Sequence, residues 1–263
     1  MKKNIAILYG GDSSEVEISL KSGKQISEIL DTQKYNGYLV LVKGSNWVVK
    51  TAPYNGCKIN KDDFSFTAKN KKIKFDFALI SIHGTPGENG ILQAYFDIIG
   101  IPYSTSDQLT SAITFNKYAC KLYLKEAGID MAKAVMIRKH DKINPDEILA
   151  KVGLPCFVKP NNGGSSYGIS KVKSAAKLSA AIKKAFSVDT EVIIEEFIEG
   201  TEITCGVIKT KEKKIIFPIT EIVSMNEFFD VEAKYEGKSK EITPARISRS
   251  EERRVGKECR SRW

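Results

Sequence analysis

The sequence predicts an α/β protein that opens with a parallel sheet. Two apolar runs, residues 5–9 and 75–82, show the near-continuous hydrophobicity of strands that are buried on both faces. Each run ends in a turn that contains glycine, and a segment with helical spacing of apolar residues follows. Because strands alternate with helices in this way, we expect an open parallel sheet up to about residue 105.

The other elements follow from periodicity and from residues that start or stop helices. Up to residue 105 we predict helices over 12–30 and 90–99, with strands over 3–9, 38–42, 47–49, 57–59, 75–82 and 101–103. Further on we predict helices over 111–127, 145–152 and 175–186, and strands over 134–137, 156–160, 169–172, 191–197, 202–208 and 214–217. Residues 225–244 are polar and aromatic, which is typical of a loop.

The composition excludes several classes of protein. With 263 residues, of which 42% are hydrophobic and 28% charged, the chain is neither collagen, nor a coiled coil, nor disordered throughout. No apolar run approaches the roughly 18 residues of a membrane span, and the first residues lack the long apolar core of a signal peptide. The five scattered cysteines and two histidines predict free thiols in the cytoplasm and no zinc site.

The last residues differ in composition from the rest of the chain. The net charge is +9, and six of the seven arginines lie between Arg246 and Trp263, whereas lysine is used almost exclusively elsewhere. Residues 249–263 also have little apolar content and no clear period. We interpret them as a non-native or disordered tail, with a basic arm for nucleic acid as the alternative. We therefore expect neither a nucleic acid nor a membrane as partner.

A glycine-rich loop between two strands is the first candidate for a site. Residues 161–168, Asn-Asn-Gly-Gly-Ser-Ser-Tyr-Gly, lack the Gly-Lys-Ser/Thr of a Walker A loop. Glycines allow a backbone to approach a phosphate closely, and Lys159 on the preceding strand could supply a positive charge. The loop is interpreted either as a flap over a nucleotide or as an ordinary hairpin loop.

Three further segments carry charged groups at the ends of predicted strands. Glu195, Glu196 and Glu202 follow an apolar strand, where exposed backbone could pair with a base and a carboxylate could hold a ribose; a solvated strand end is the alternative. Glu15 could bind an ammonium group, although Asp12-x-x-Glu15 also fits a helix capping box. His83 stands at the carboxyl end of a central strand, where ligands gather in open α/β sheets, although a lone histidine is often structural.

Taken together, these segments resemble the D-alanine–D-alanine ligases, a family of ATP-grasp enzymes. The motifs occur in the family's order and spacing from Lys3 to about Ala245. They are Gly-Gly-x-Ser-x-Glu (10–15), His-Gly-x-x-Gly-Glu-x-Gly (83–90), Asn-Lys (116–117), Val-Lys-Pro (158–160) with Gly-Ser-Ser-x-Gly (164–168), Ile-Glu-Glu-Phe (194–197) through Glu202, and Glu-Ala-Lys-Tyr (232–235). The resemblance implies the ligation of two D-alanines at the expense of ATP, for peptidoglycan synthesis, through an acyl phosphate.

The resemblance also implies roles for individual residues. Glu15 would hold the ammonium of the first D-alanine and His83 would stand near its carboxylate, while Ser165 and Tyr235 would complete a hydrogen-bonded set with Glu15. Tyr235 favours an amine as the second substrate. ATP would be contacted by Lys117 and Lys159 at the phosphates, Ser166 through its N–H, Glu195, Glu196 and Ile198 at adenine, Phe228 packed on adenine, Glu202 at the ribose, and Lys234 from the closing loop.

The implied fold divides the chain into four parts. They are a Rossmann-like substrate-binding domain (1–105), a central ATP-grasp subdomain with the flap (106–188), a partial C-terminal ATP-grasp subdomain with a mobile loop near 225–244 (189–248), and the tail (249–263). A homodimer is also implied for the full-length form.

The resemblance stops near Ile247. The family continues with an Arg-x-Asp strand and a Glu-x-Asn segment that bind Mg²⁺, and then with a Ser-Leu turn for the second D-alanine; none of these follows here. The resemblance implies that the family uses ATP and Mg²⁺, but the Mg²⁺ ligands are absent from this chain. We therefore expect that the chain is truncated and that, as written, it is inactive or nearly inactive. The alternative is a non-catalytic, nucleotide-binding fragment.

Overall fold

The structure, a computed structural model, describes residues 2–210, 212–225, 239–253 and 255. The chain divides into two compact units. The first comprises Met1–Cys120 and Asn162–Gly164, and the second comprises Lys121–Asn161 and Ser165–Trp263. Phe228, Lys234 and Tyr235 lie outside the described residues. No helix within the described ranges is both long and apolar enough to cross a membrane.

The first unit alternates strands and helices. Its elements are β1 (Lys3–Gly10), α1 (Val16–Ile29), β2 (Tyr35–Lys43), β3 (Asn46–Val49), β4 (Ser65–Ala68), β5 (Lys71–Lys74), β6 (Phe77–Ile80), α2 (Ile91–Ile99), α3 (Gln108–Phe115) and the first residues of α4 (Lys117–Glu126).

The main sheet of the first unit has the strand order β3-β2-β1-β6. β1 pairs in parallel with β2 and with β6, which confirms the predicted parallel sheet. Ala6, Ile7 and Leu8 of the central strand β1 are fully buried, as expected of a strand covered on both faces. The outer strand β3 differs because it is antiparallel to β2, and the sheet is therefore mixed.

The hairpin β4–β5 was not predicted from the sequence. Its two strands pair from Ser65↔Lys74 to Ala68↔Lys71 around the turn residues Lys69 and Asn70. Both turn residues have positive φ, 47° and 60°, which is the geometry of a type I′ hairpin turn. The hairpin buries Phe66 in the core of this unit, together with residues of the main sheet.

The single helix predicted over 111–127 is two helices, α3 and α4, separated at Asn116. Asn116 is extended, with φ −88° and ψ 106°, and its Oδ1 accepts the Ala119 N–H at 2.8 Å. This side chain therefore caps α4. The break places Lys117 at the first position of a helix instead of in the middle of one.

The second unit is built on an antiparallel sheet. Its elements are β7 (Ala134–Arg138), α5 (Pro145–Val152), β8 (Cys156–Pro160), β9 (Ser170–Val172), a 3₁₀ turn (Ala175–Lys177), α6 (Leu178–Phe186), β10 (Glu191–Glu196), β11 (Ile203–Thr204), β12 (Val207–Lys209), β13 (Lys214–Ile216), β14 (Thr220–Ser224) and β15 (Ser239–Ile242).

The core of the second unit lies between this sheet and two helices. The sheet order is β7-β10-β8-β9, with antiparallel neighbours throughout. Val158, Val192 and Ile194 pack with residues of α5 and α6 in one cluster. Because side chains alternate along a strand, Lys159 and Glu195 point to the opposite face of the sheet.

Three segments near the C-terminus differ from the expectations. The strand predicted over 202–208 is split into β11 and β12, and residues 239–242 of the predicted 225–244 loop form β15, which pairs with β14. Residues 249–253 and 255 are helical. Ser248 starts this helix with a capping box, because its Oγ accepts the Glu251 N–H at 3.3 Å and Glu251 Oε2 accepts the Ser248 N–H at 2.9 Å.

Candidate active site

Glu15 carries a buried carboxylate in the first unit. Its own motif (10–15), the His-Gly motif (83–90) and the glycine-rich loop (161–168) come together around it. It immediately precedes α1, is only 4% exposed, and makes no side-chain capping bond to that helix. Asp12 does not form the capping box either, because the Glu15 N–H donates to Ser13 Oγ at 3.1 Å and Asp12 Oδ1 accepts the Gly44 N–H at 2.9 Å. A Cβ atom on Gly164 would lie 3.0 and 3.1 Å from the two Glu15 oxygens, and one on Gly84 would lie 3.2 Å from Oε2.

The turn that carries His83 is fixed by Ser13, which precedes α1, and by two serines of α1. Ser13 Oγ donates to the His83 carbonyl at 2.8 Å, and the His83 N–H donates to Ser19 Oγ at 2.9 Å. The ring Nε2 lies 3.3 Å from Ser22 Oγ. Ser13 is the serine of the Gly-Gly-x-Ser-x-Glu motif. Ser19 and Ser22 were not singled out from the sequence, although they have the i, i+3 spacing of one helix face.

The first glycines of the loop lie beside Lys117. Asn116 and Asn162 form an antiparallel bridge, and Lys117 Nζ donates to the Gly163 carbonyl at 2.6 Å. A cavity of about 240 Å³ opens here, lined by Glu88, Thr114, Phe115, Lys117, Gly163 and Gly164. The Asn-Lys and glycine-rich motifs, 46 residues apart in sequence, thus line one cavity.

The rest of the loop has an unfavourable backbone. Ser165 and Ser166 have φ values of 48° and 61°. Left-handed backbone costs a residue with a side chain about 1–2 kcal/mol, so two such residues in succession must be held by their surroundings. Strained backbone of this kind is concentrated in ligand-binding loops.

In the second unit, Glu195 lies between two lysines. Lys159 Nζ is 2.6 Å from Glu195 Oε2 and Lys121 Nζ is 2.7 Å from Oε1. The side chain of Glu195 is only 13% exposed and that of Lys121 is 12% exposed. Burial raises the pKa of Glu195, but the charges and hydrogen bonds of Lys159 and Lys121 outweigh it and hold the pKa below its ordinary value. Lys121 was not predicted from the sequence.

Glu196, Ile198 and Glu202 lie at and beyond the end of β10. The Glu196 N–H donates to the Lys133 carbonyl at 3.0 Å, and Glu196 Oε1 accepts the Lys133 N–H at 2.7 Å. This N–H is therefore used within the unit, whereas the sequence was interpreted as leaving exposed backbone there. Ile198 is 63% exposed, and Glu202 is also exposed.

No metal centre is formed within the described ranges. Nowhere in residues 2–210, 212–225, 239–253 and 255 do three or more His, Cys, Asp or Glu side chains come together as ligands. The residues that the structure describes therefore supply no ligand set made of protein side chains alone for Mg²⁺.

Two family models match the chain. The model described as "D-ala D-ala ligase N-terminus" matches residues 4–106, and "D-ala D-ala ligase C-terminus" matches residues 123–260. The second match includes residues 249–260, which composition had set apart as a tail.

Related proteins and solved structures agree with these matches. Proteins named D-alanine–D-alanine ligase from Phocaeicola vulgatus and Flavobacterium johnsoniae are 52% and 53% identical, each over 97% of this chain and 79% of their own length. The D-alanyl-alanine synthetase A of Vibrio cholerae aligns with a TM-score of 0.85 at 25% identity, over 98% of this chain and 79% of its own. The VanG D-Ala:D-Ser ligase of Enterococcus faecalis aligns with a TM-score of 0.81 at 34% identity, over 97% and 80%.

Proposed function

Because the chain belongs to the D-alanine–D-alanine ligase family of ATP-dependent ligases, we propose that its residues serve the joining of two D-alanines through an acyl phosphate. The proposed first step is attack by a D-alanine carboxylate oxygen on the γ-phosphorus of ATP. The bond from that phosphorus to the bridging oxygen breaks, and ADP leaves. The amine of the second D-alanine then attacks the acyl carbon, loses a proton, and expels inorganic phosphate.

The observation that supports this proposal best is the placement of Glu15. An amino acid with a positive ammonium group needs a negative partner, and a buried carboxylate binds such a group more strongly than an exposed one. Gly84 and Gly164 approach the Glu15 carboxylate where any side chain would crowd it. We assign Glu15 to the ammonium of the first D-alanine and His83 to the neighbourhood of its carboxylate.

The serines around His83 fit that assignment. If Ser22 Oγ donates to Nε2, the neutral ring carries its proton on Nδ1 and can donate it to a substrate carboxylate. Ser13 and Ser19 hold the backbone of the same turn, so that the ring is positioned before the substrate binds. In this assignment His83 acts as a donor of a hydrogen bond and not as a base.

We assign the lysines to the phosphates of ATP. Phosphoryl transfer depends mainly on positioning and on neutralising charge, which lysine supplies as a point charge. Lys117 lies beside Gly163 in the first unit, and Lys159 lies on β8 of the second unit. The Ser166 N–H is assigned to a phosphate, Glu195, Glu196 and Ile198 to adenine, and Glu202 to the ribose. Ser165, Phe228, Lys234 and Tyr235 keep the roles that the family resemblance implies.

We propose that the polypeptide of these 263 residues does not complete the catalytic cycle. After Ile247 it lacks the patterns that the resemblance associates with Mg²⁺, and the described residues form no metal-ligand group. We expect no D-alanine-dependent release of phosphate from ATP, and release at rates ordinary for an enzyme would contradict this part of the proposal.

Substrate binding tests the assignment of Glu15 without requiring turnover. We expect calorimetry to detect D-alanine binding to the unchanged chain and to detect at least about tenfold weaker binding to Glu15→Gln, because the variant loses the charge that pairs with the ammonium. Glu17→Gln is the matched control, since Glu17 is exposed two residues away. Equal affinities of the unchanged chain and Glu15→Gln would contradict the assignment.

A further inference from the structure

Lys121 has a single described partner, and that partner is also the partner of Lys159. Lys121 Nζ binds Glu195 Oε1 at 2.7 Å while Lys159 Nζ binds Glu195 Oε2 at 2.6 Å. The three side chains are mostly buried, with exposed fractions of 12% for Lys121, 13% for Glu195 and 25% for Lys159. Two ammonium groups thus share one carboxylate, which leaves a net positive charge in a poorly solvated place.

The positions of the two lysines make Lys159 the one that can leave Glu195. Lys159 and Glu195 lie on adjacent antiparallel strands, where Lys159 pairs with Ile193 and Phe157 pairs with Glu195. Lys159 is the more exposed of the two lysines, and its Nζ is also 5.2 Å from the centre of the Phe157 ring. Lys121 is fixed on α4 and approaches the other oxygen of the carboxylate.

We propose that Lys121 is a positioning residue for nucleotide binding: it neutralises Glu195, so that Lys159 can leave that carboxylate for a phosphate of a nucleoside polyphosphate. The inference rests on the proposed function, which assigns Lys159 to ATP. A buried carboxylate that loses its last cation is strongly disfavoured. With Lys121 in place, Glu195 keeps one cation while Lys159 binds the phosphate. Without Lys121, Glu195 would retain Lys159.

The contribution of the phosphates is measured by comparing two ligands. The ratio of the Kd for adenosine to the Kd for ATP isolates that contribution, because changes at the adenine cancel. We expect Lys121→Met to lower this ratio by about tenfold and Lys121→Arg to leave it within about threefold of the unchanged chain. Lys125→Met is the matched control, since Lys125 lies one turn further along α4 and is exposed.

A second substitution separates positioning from a merely structural role. In Lys121→Met/Glu195→Gln no carboxylate remains to retain Lys159, so we expect the ratio to return to within about threefold of that of Glu195→Gln. A structural role of Lys121 would not predict such a recovery. This comparison still tests the inference if Lys121→Met alone does not fold. If the Kd ratio is lower in the double variant than in Glu195→Gln, Lys121 contacts the phosphates itself and the inference is overturned.

The results distinguish this inference from the proposed function. If the unchanged chain binds ATP no better than adenosine, or if Lys159→Met leaves the ratio unchanged, the assignment of Lys159 to ATP fails, and the inference fails with it. If Lys159→Met lowers the ratio but Lys121→Met does not, the proposed function stands and the inference is overturned. A lowered ratio in Lys121→Met that recovers in the double variant supports both.

Discussion

Replacing Gly164 by alanine tests whether the glycine-rich loop contacts Glu15. An added Cβ would lie 3.0 Å from Glu15 Oε1, 3.1 Å from Oε2 and 3.4 Å from the carboxyl carbon. The first two distances are shorter than ordinary van der Waals contacts, so the carboxylate or the loop must shift by a few tenths of an ångström. Glu15 is only 4% exposed and therefore has little room to move.

Two opposing terms set the size of the effect. Overpacking of a well-filled site costs about 1–3 kcal/mol. Alanine also restricts the unfolded chain, which stabilises the fold by about 0.4–1 kcal/mol where the backbone accepts it, and Gly164 does not have a left-handed φ. We expect Gly164→Ala to lower the free energy of unfolding by about 1 kcal/mol. In a Glu15→Ala background the obstacle is absent, and the same change should stabilise by about 0.5 kcal/mol.

The assay is a double-mutant cycle measured by urea unfolding. The expected coupling between positions 15 and 164 is about 1.5 kcal/mol, which is typical of residues in direct contact. Gly200→Ala is the control, because a Cβ there would meet nothing within 4 Å and its φ is also outside the left-handed region. An equal effect of Gly164→Ala in both backgrounds would refute the contact and, with it, the meeting of the loop and Glu15.

Two further predictions concern packing and pH. Gly23→Ala should lower the free energy of unfolding by about 2 kcal/mol, measured by urea unfolding, although it improves the helix propensity of α1. The reason is that the added Cβ would lie 2.4 Å from Tyr9 Cβ on the central strand β1. A stabilised variant would show that α1 packs differently. Glu195→Gln should be destabilised at pH 7 and approach the unchanged chain as the pH falls below about 4.5, because a carboxylate with a lowered folded-state pKa contributes stability above its unfolded-state pKa and loses it on protonation. A destabilisation that is constant from pH 7 to pH 3 would argue against the ion pairs of Glu195.

The elements that could be predicted from the sequence are those whose local pattern agrees with their burial. β1 is fully buried at its centre and is a continuous apolar run, whereas α5 begins at Pro145 and is followed by Gly153. The hairpin β4–β5 was missed because its strands have only four residues each, and three lysines, Lys71, Lys72 and Lys74, occur in one of them. Its turn, Lys69-Asn70, lacks the glycine that usually marks a type I′ turn.

The site could be predicted where a motif carried it and not where a tertiary contact created it. Glu15, Lys117 and Lys159 stand in recognisable motifs, and the structure places each of them beside another motif of the same unit. Lys121 belongs to no motif, and only its i, i+4 spacing from Lys117 on α4 was available as a signal. Its ion pair depends on β10, which follows about 70 residues later in the sequence, and no local pattern encodes such a distance.

The charges of the two units are suited to different reactants. The first unit buries the Glu15 carboxylate beside glycines at positions where an added Cβ would crowd it, whereas the second unit holds two lysines on the single carboxylate of Glu195. A buried surplus of positive charge is disfavoured in the absence of an anion, so an anion that supplies the missing negative charge should bind strongly there. The ammonium of an amino acid is positive and complements Glu15, whereas a polyphosphate is negative and complements the two lysines. The sign of charge in each unit therefore favours a ligase of amino acids over a protein that binds nucleotide alone, since a nucleotide offers no positive group to pair with the buried carboxylate of Glu15.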